Sequence, residues 1–141
     1  MPKREHVITV VREWVSKAEN DLTTAAHTLK LGANCPTDTV CFHAQQVVEK
    51  YLKALLTWRA MDFPKTHSVE ELLALLPPTA RPKLSEVDQE RLTAYATVTR
   101  YPGNYEPISL AEARRAVAVA RRFRGEVRKL LPKEAFRVRE K

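Results

Sequence analysis

Three serines mark where helices begin in this chain and so restrict how it can fold. Ser68-Val69-Glu70-Glu71, Ser85-Glu86-Val87-Asp88 and Ser109-Leu110-Ala111-Glu112 each place a hydroxyl three residues ahead of a carboxylate. In that spacing the hydroxyl can accept from a first-turn amide that has no partner inside the helix. Two longer periodic segments precede them. One runs over about residues 5–31, with Val7, Val10, Val11, Trp14, Val15, Ala18, Leu22, Ala25 and Leu29 on one face and Gly32 placed to end it. The other opens at Pro36-Thr37-Asp38, with Thr37 as expected N-cap, and runs to about residue 60. Pro77-Pro78, Pro102-Gly103 and Pro132 supply the remaining stops. The last segment turns Ala113, Ala116, Ala120, Phe123, Val127 and Leu130 inward.

No segment alternates as a strand does, and the three glycines and nine prolines, most of the latter between periodic stretches, argue against a sandwich or barrel. The expected fold class is all-α: an antiparallel up-and-down four-helix bundle with a short additional helix in the connection between helices two and four. One domain is expected over residues 1–131, followed by a charged, frayed tail over 132–141.

Helix two carries the most chemistry. With Cys41, Ala44, Val48, Tyr51, Leu52 and Leu55 facing inward, His43, Gln46, Lys50 and Lys53 form a polar stripe on the other side. Imidazole, carboxamide and ammonium groups all donate hydrogen bonds, which suits a phosphate; a solvated helix face has the same look. Asp21 falls inside the apolar arc of helix one and needs a partner, with Lys50, Arg100 and His43 as candidates. Gln45 points between Leu52 and Leu56, so it belongs in the core or at a subunit interface, while Phe42 sits among the polar positions. Together they suggest that a second copy covers helix two, or that a loop does.

Two further groups invite an anion. Lys65-Thr66-His67 precedes the cap at Ser68 and so lies beside the positive end of a helix. Arg100-Tyr101-Pro102, with Tyr95 and Tyr105 nearby, could clamp a phosphate and stack a base, or simply close helix four.

Charge is concentrated at one end. Residues 1–108 hold 13 Lys/Arg against 13 Asp/Glu, and residues 109–141 hold 11 against 4, which supplies the whole +7. Arg114, Arg115, Arg121, Arg122, Arg124 and Arg128 are expected on the outer face of the fifth helix, where nucleic acid or an acidic protein would meet them. No apolar run approaches the roughly 18 residues of a membrane span, and no signal peptide is evident. Cys35 and Cys41 match neither a zinc spacing nor a disulfide framework. No glycine-rich phosphate loop, metal-ligand spacing or nucleophile elbow occurs, so neither metal nor cofactor is expected, and the cytoplasm is the expected location.

Trp14 with Ala18, Asp21-Leu22 and Ala25-Ala26, the run Cys41-Phe42-His43-Ala44-Gln45-Gln46 through Glu49-Lys50-Tyr51-Leu52-Lys53-Ala54-Leu55, then Lys65-Thr66-His67-Ser68 and Arg100-Tyr101-Pro102, together resemble the HEPN family (higher eukaryotes and prokaryotes nucleotide-binding). The resemblance spans about residues 8–130 in the family's order. It implies a helical bundle, usually dimeric, and in small prokaryotic members a partnership with a separate minimal nucleotidyltransferase chain, sometimes in toxin–antitoxin-like modules. Many such proteins are metal-independent ribonucleases built on an arginine followed after four to six residues by a histidine. This chain lacks that motif; Arg59 and His67 come nearest, with seven residues between them.

The motif positions make His43, Gln46, Lys50, Lys53, Lys65, His67, Arg100 and Tyr101 the candidate nucleotide or phosphate site, and Asp21, Gln45 and Glu49 its buried polar support. The leading expectation is a non-enzymatic, homodimeric nucleotide-binding subunit. A metal-independent ribonuclease using His43, His67 and Arg100, and a basic module binding protein or RNA through helix five, are the alternatives.

Overall fold

The computed structural model describes residues 3–97 and 106–136. Those residues form five α-helices and no strand: α1 (Arg4–Leu29), α2 (Thr37–Trp58), α3 (Val69–Ala74), α4 (Glu86–Thr97) and α5 (Leu110–Arg128). Short 3-10 turns lie at Gly32–Asn34, Pro78–Ala80 and Lys133–Phe136. The class is all-α, with four longer helices and the six-residue α3 in the connection from α2 to α4.

All three serines cap as their spacing demands. Ser68 Oγ accepts from Glu71 N at 3.1 Å, Ser85 Oγ from Asp88 N at 3.1 Å and Ser109 Oγ from Glu112 N at 3.0 Å. Thr37 does not cap. Pro36 holds that position, and the Thr37 hydroxyl donates to the Ile108 carbonyl at 2.7 Å, tying the start of α2 to the segment that leads into α5. Gly32 adopts φ 61°, the left-handed conformation expected just beyond a helix. α2 closes differently. Met61 N donates to Leu56 O and Ala60 N to Thr57 O, the paired bonds of a Schellman ending, with Ala60 at φ 57° where glycine is usual.

α2 is the central element. It packs on α1, α3, α4 and α5, and 14 of its 22 residues are buried. One apolar face and one solvated face therefore do not describe it. Val47 and Ala54, on the side expected to be polar, are fully buried because α1 lies along that side with Val11, Val15 and Ala18. Around α2 the core is completed by Leu72, Leu76, Leu92, Phe123 and Val127.

At the far end of α5, Leu130 is 46% exposed and Leu131 is buried in its place. The helix stops at Arg128, so the 100° step that puts Leu130 inward no longer applies. Residues 133–136 also depart from the expected frayed tail. Their 3-10 turn packs on α1, with Arg12 Nε donating to the Glu134 carbonyl at 2.5 Å and Arg4 pairing with the Glu134 carboxylate at 2.5 Å. Ala135 is buried there.

Candidate functional site

Two buried carboxylates organise the polar residues of α2. The first is Asp21 of α1. Lys50 Nζ donates to Asp21 Oδ2 at 2.5 Å, and His43 Nδ1 lies 2.7 Å from Asp21 Oδ1. Residues 43 and 50 are two turns apart on α2, so both side chains reach the same point on α1. Two of the three partners considered for Asp21 thus meet it; Arg100 lies outside the described residues. The carboxylate is sequestered, while the His43 and Lys50 side chains remain 25% and 20% exposed.

The second is Glu49, 3% exposed. Its Oε1 receives Gln45 Nε2 at 2.9 Å, lies 2.8 Å from His67 Nδ1 and takes a longer contact from Gln46 Nε2 at 3.4 Å. Its Oε2 receives Lys53 Nζ at 2.9 Å. Gln45 also donates to the His67 carbonyl at 3.1 Å and accepts from Gln46 at 2.6 Å. Lys53 is boxed further, 5.5 Å above the Trp14 ring and 5.9 Å above the Phe63 ring. Burial pushes the Glu49 carboxyl up, but the bonds from Gln45, Lys53 and His67 outweigh it and hold the group below its ordinary range.

The expected stripe is therefore divided. His43 and Lys50 turn to Asp21, whereas Gln46 and Lys53 are largely buried donors to the Glu49 cluster. Gln45 is covered by its own chain, because the loop that carries His67 lies over it; no second copy is required. Phe42 is half-buried with its ring edge-on to His43 at 5.5 Å. Lys65 is exposed, and the His67 side chain is 61% exposed although its Nδ1 is tied down.

At the start of α3 the backbone contributes little to an anion site beside Lys65 and His67. With six residues the helix has little dipole, and three of the amides at its start are already taken. Ser68 N donates to Thr66 Oγ1, Val69 N to Thr93 Oγ1 and Glu71 N to Ser68 Oγ. Tyr101, like Arg100, lies outside the described residues. The open members of the candidate set are consequently His43, Lys50, Lys65 and His67.

Sequence reasoning missed two other polar clusters. Arg124 does not face outward; it grips Glu19 of α1 with two bonds of 2.7 Å, and Tyr51 donates to the same carboxylate at 2.7 Å. Burial raises the Glu19 carboxyl, yet the Arg124 and Tyr51 bonds prevail and leave it below the usual value. Arg128 donates to the Tyr51 hydroxyl at 3.2 Å and stacks over Phe136 at 3.9 Å. Asp88, 5% exposed, takes Arg115 at 2.9 Å. Its signal was present in the sequence, since Asp88, Leu92 and Tyr95 share one helical face. Among the described residues no group of side chains could hold a metal ion, and no helix is long and apolar enough to cross a membrane.

Among the described residues the domain is all-helical, with a buried central helix and two buried carboxylate clusters. A family model for the HEPN domain matches residues 11–130. The chain belongs to the HEPN family. A crystal structure of an archaeal HEPN homologue is similar over 85% of this chain and 96% of that one, with TM-score 0.64 and 25% identity. No curated protein matches the chain significantly.

Proposed function

We infer that this chain is the helical, nucleotide- or phosphate-binding subunit of a two-component module in the cytoplasm. It would act as a homodimer beside a minimal nucleotidyltransferase, in a toxin–antitoxin-like arrangement. The observation that carries the reading is the pair of imidazoles held through Nδ1 by buried carboxylates, His43 on Asp21 and His67 on Glu49, each with a lysine nearby. An ionised carboxylate only accepts, so in each contact Nδ1 is the donor and the Nε2 edge is left for a ligand. Lys50 keeps donors beyond the one given to Asp21, and Lys65 adds an exposed ammonium two residues before His67. The two ammonium groups donate to a phosphate directly and each Nε2 does so from the imidazolium, with little imidazole freedom left to lose on binding.

The absent Arg–x4–6–His motif weighs against ribonuclease activity. One feature favours it as a second reading: a carboxylate-held imidazole is also a suitable general base for the ribose 2′-hydroxyl. The two readings separate in one experiment. Purified protein is tested for nucleotide binding by calorimetry and for cleavage of single-stranded RNA in excess chelator. Binding that falls at least tenfold in His67→Ala and Lys65→Ala, without cleavage, supports the subunit reading. Chelator-resistant cleavage lost in His43→Ala replaces it with the ribonuclease.

A further inference from the structure

On the side away from the core, α5 repeats itself every seven residues. Ala111, Ala118 and Gly125 occupy one position of the repeat, Arg114 and Arg121 a second, and Arg115, Arg122 and Lys129 a third; Arg128, next in the second row, is instead turned to Tyr51 and Phe136. At about 100° per residue the small residues fall between the two cationic rows. Successive members of a row stand about 10.5 Å apart, seven helical rises. Ala111, Ala118, Arg114 and Arg121 are exposed, and the side chains of Arg115, Arg122 and Lys129 are 54%, 67% and 74% exposed. The result is a shallow floor with a guanidinium rim on either side.

The chain itself has no use for that floor. A Cβ added at Gly125 meets nothing within 4 Å, so packing does not require glycine, although glycine inside a helix costs stability relative to alanine. The rims are undercompensated as well. Their carboxylate contacts among the described residues are Asp88, 2.9 Å from Arg115 and 3.9 Å from Arg122, and Glu126, 3.6 Å from Lys129. A helix face that meets only water usually mixes its signs.

We propose that the outer face of α5 docks an acidic helix of a different protein, one with small residues along its contact seam and carboxylates on both flanks. A seven-residue period is the repeat at which one helix follows another. A floor of alanine and glycine lets two helix backbones approach closely, and the flanking arginines then meet carboxylates in paired hydrogen bonds. A second copy of this chain is a poor occupant, because it sets arginine against arginine. A nucleic-acid backbone needs the cations alone; neither the small floor nor the period serves it. The surface uses none of the Asp21 or Glu49 cluster residues, so it stands or falls apart from the nucleotide reading.

The test uses the full chain and a fluorescent synthetic helix of matching length, braced by side-chain lactams, with alanine at the seam and glutamate on both flanks. Poly-uridylate RNA is the second probe. Ala118→Trp fills the floor without altering charge, and Arg114→Glu with Arg121→Glu reverses one rim; circular dichroism verifies that both variants keep their helix content. Saturable binding of the peptide, weakened roughly tenfold or more by each variant, is the expected result. The proposal is overturned by absence of peptide binding, by Ala118→Trp binding the peptide as the parent does, or by preference for RNA with no effect of Ala118→Trp.

Discussion

Glu49 shows how much one side chain organises here. Four donors converge on a carboxylate that is 3% exposed, and no buried side-chain nitrogen or oxygen among the described residues lacks a partner. Glu49→Gln presents an amide N–H toward donors and leaves Lys53 without its counter-ion, so a loss of about 3 kcal/mol is expected at neutral pH by urea unfolding. The acid dependence follows from the depressed carboxyl. Its contribution is complete above the unfolded value near pH 4.5 and disappears as pH falls through the lower folded value. The parent therefore loses stability on acidification below about pH 4.5, and Glu49→Gln loses less over the same range. Glu19 is shifted the same way and preserves part of that acid limb in the variant. A second residue-scale prediction concerns the thiols. Burial first, then the Glu112 charge, push the Cys41 thiol up to about 12, while Cys35 is only partly buried. Alkylation of the folded protein at pH 8 is expected to modify Cys35 and spare Cys41, checked by peptide mass mapping; rapid double modification would contradict the packing around α2.

At the scale of elements, the ending of α2 offers the clearest test. Ala60 holds a left-handed φ of 57° inside a Schellman ending. Ala60→Gly relieves that strain and is expected to stabilise the fold by about 1 kcal/mol, net of the entropy glycine adds to the unfolded chain. That corresponds to a melting rise of roughly 3 °C, and a decrease would contradict the assigned turn. Helix starts were the most legible feature of the sequence, because a serine three residues before an acid works locally and needs no knowledge of the rest of the fold. Which face of α2 meets solvent was not legible. Periodicity yields one apolar arc, but a helix packed on four others keeps only a narrow open edge, and only tertiary placement reveals that Val47 and Ala54 are interior. The arginines of α5 failed for a related reason. Arg124 and Arg128 are long enough to reach across to Glu19 and Tyr51, so their direction is decided by partners distant in sequence. Of the candidate site, the partnership of Asp21 with His43 and Lys50 was within reach of sequence reasoning. The coupling of His67 to Glu49 was not, since nothing local to residue 67 indicates that its loop folds back over Gln45.

For the molecule as a whole, the carboxylate clusters join α1, α2 and the loop before α3, and the Glu19 cluster joins α1 and α2 to α5. The C-terminal turn adds another tie to α1. Truncation after Leu131 removes the Arg12 bond to Glu134, the buried Ala135 and the Phe136 ring beneath Arg128. A loss of about 1–2 kcal/mol is expected in denaturant unfolding, more than an exposed ion pair such as Arg4–Glu134 accounts for alone. Family membership and the similarity to an archaeal HEPN homologue establish the architecture, and the proposed function rests on the open groups His43 and Lys50 of α2 and Lys65 and His67 of the following loop. Its most direct test is a thermal-shift series of the full chain with ATP, GTP, CTP, UTP and inorganic phosphate, repeated on the Lys65→Ala, His67→Ala double variant. A nucleotide at 100 times its dissociation constant stabilises the fold by about 2.7 kcal/mol, a rise of roughly 5–10 °C for a chain of this size. The account predicts such a rise with at least one nucleotide, larger than with phosphate and lost in the double variant. An equal rise in parent and double variant, or no rise with any nucleotide, would contradict it.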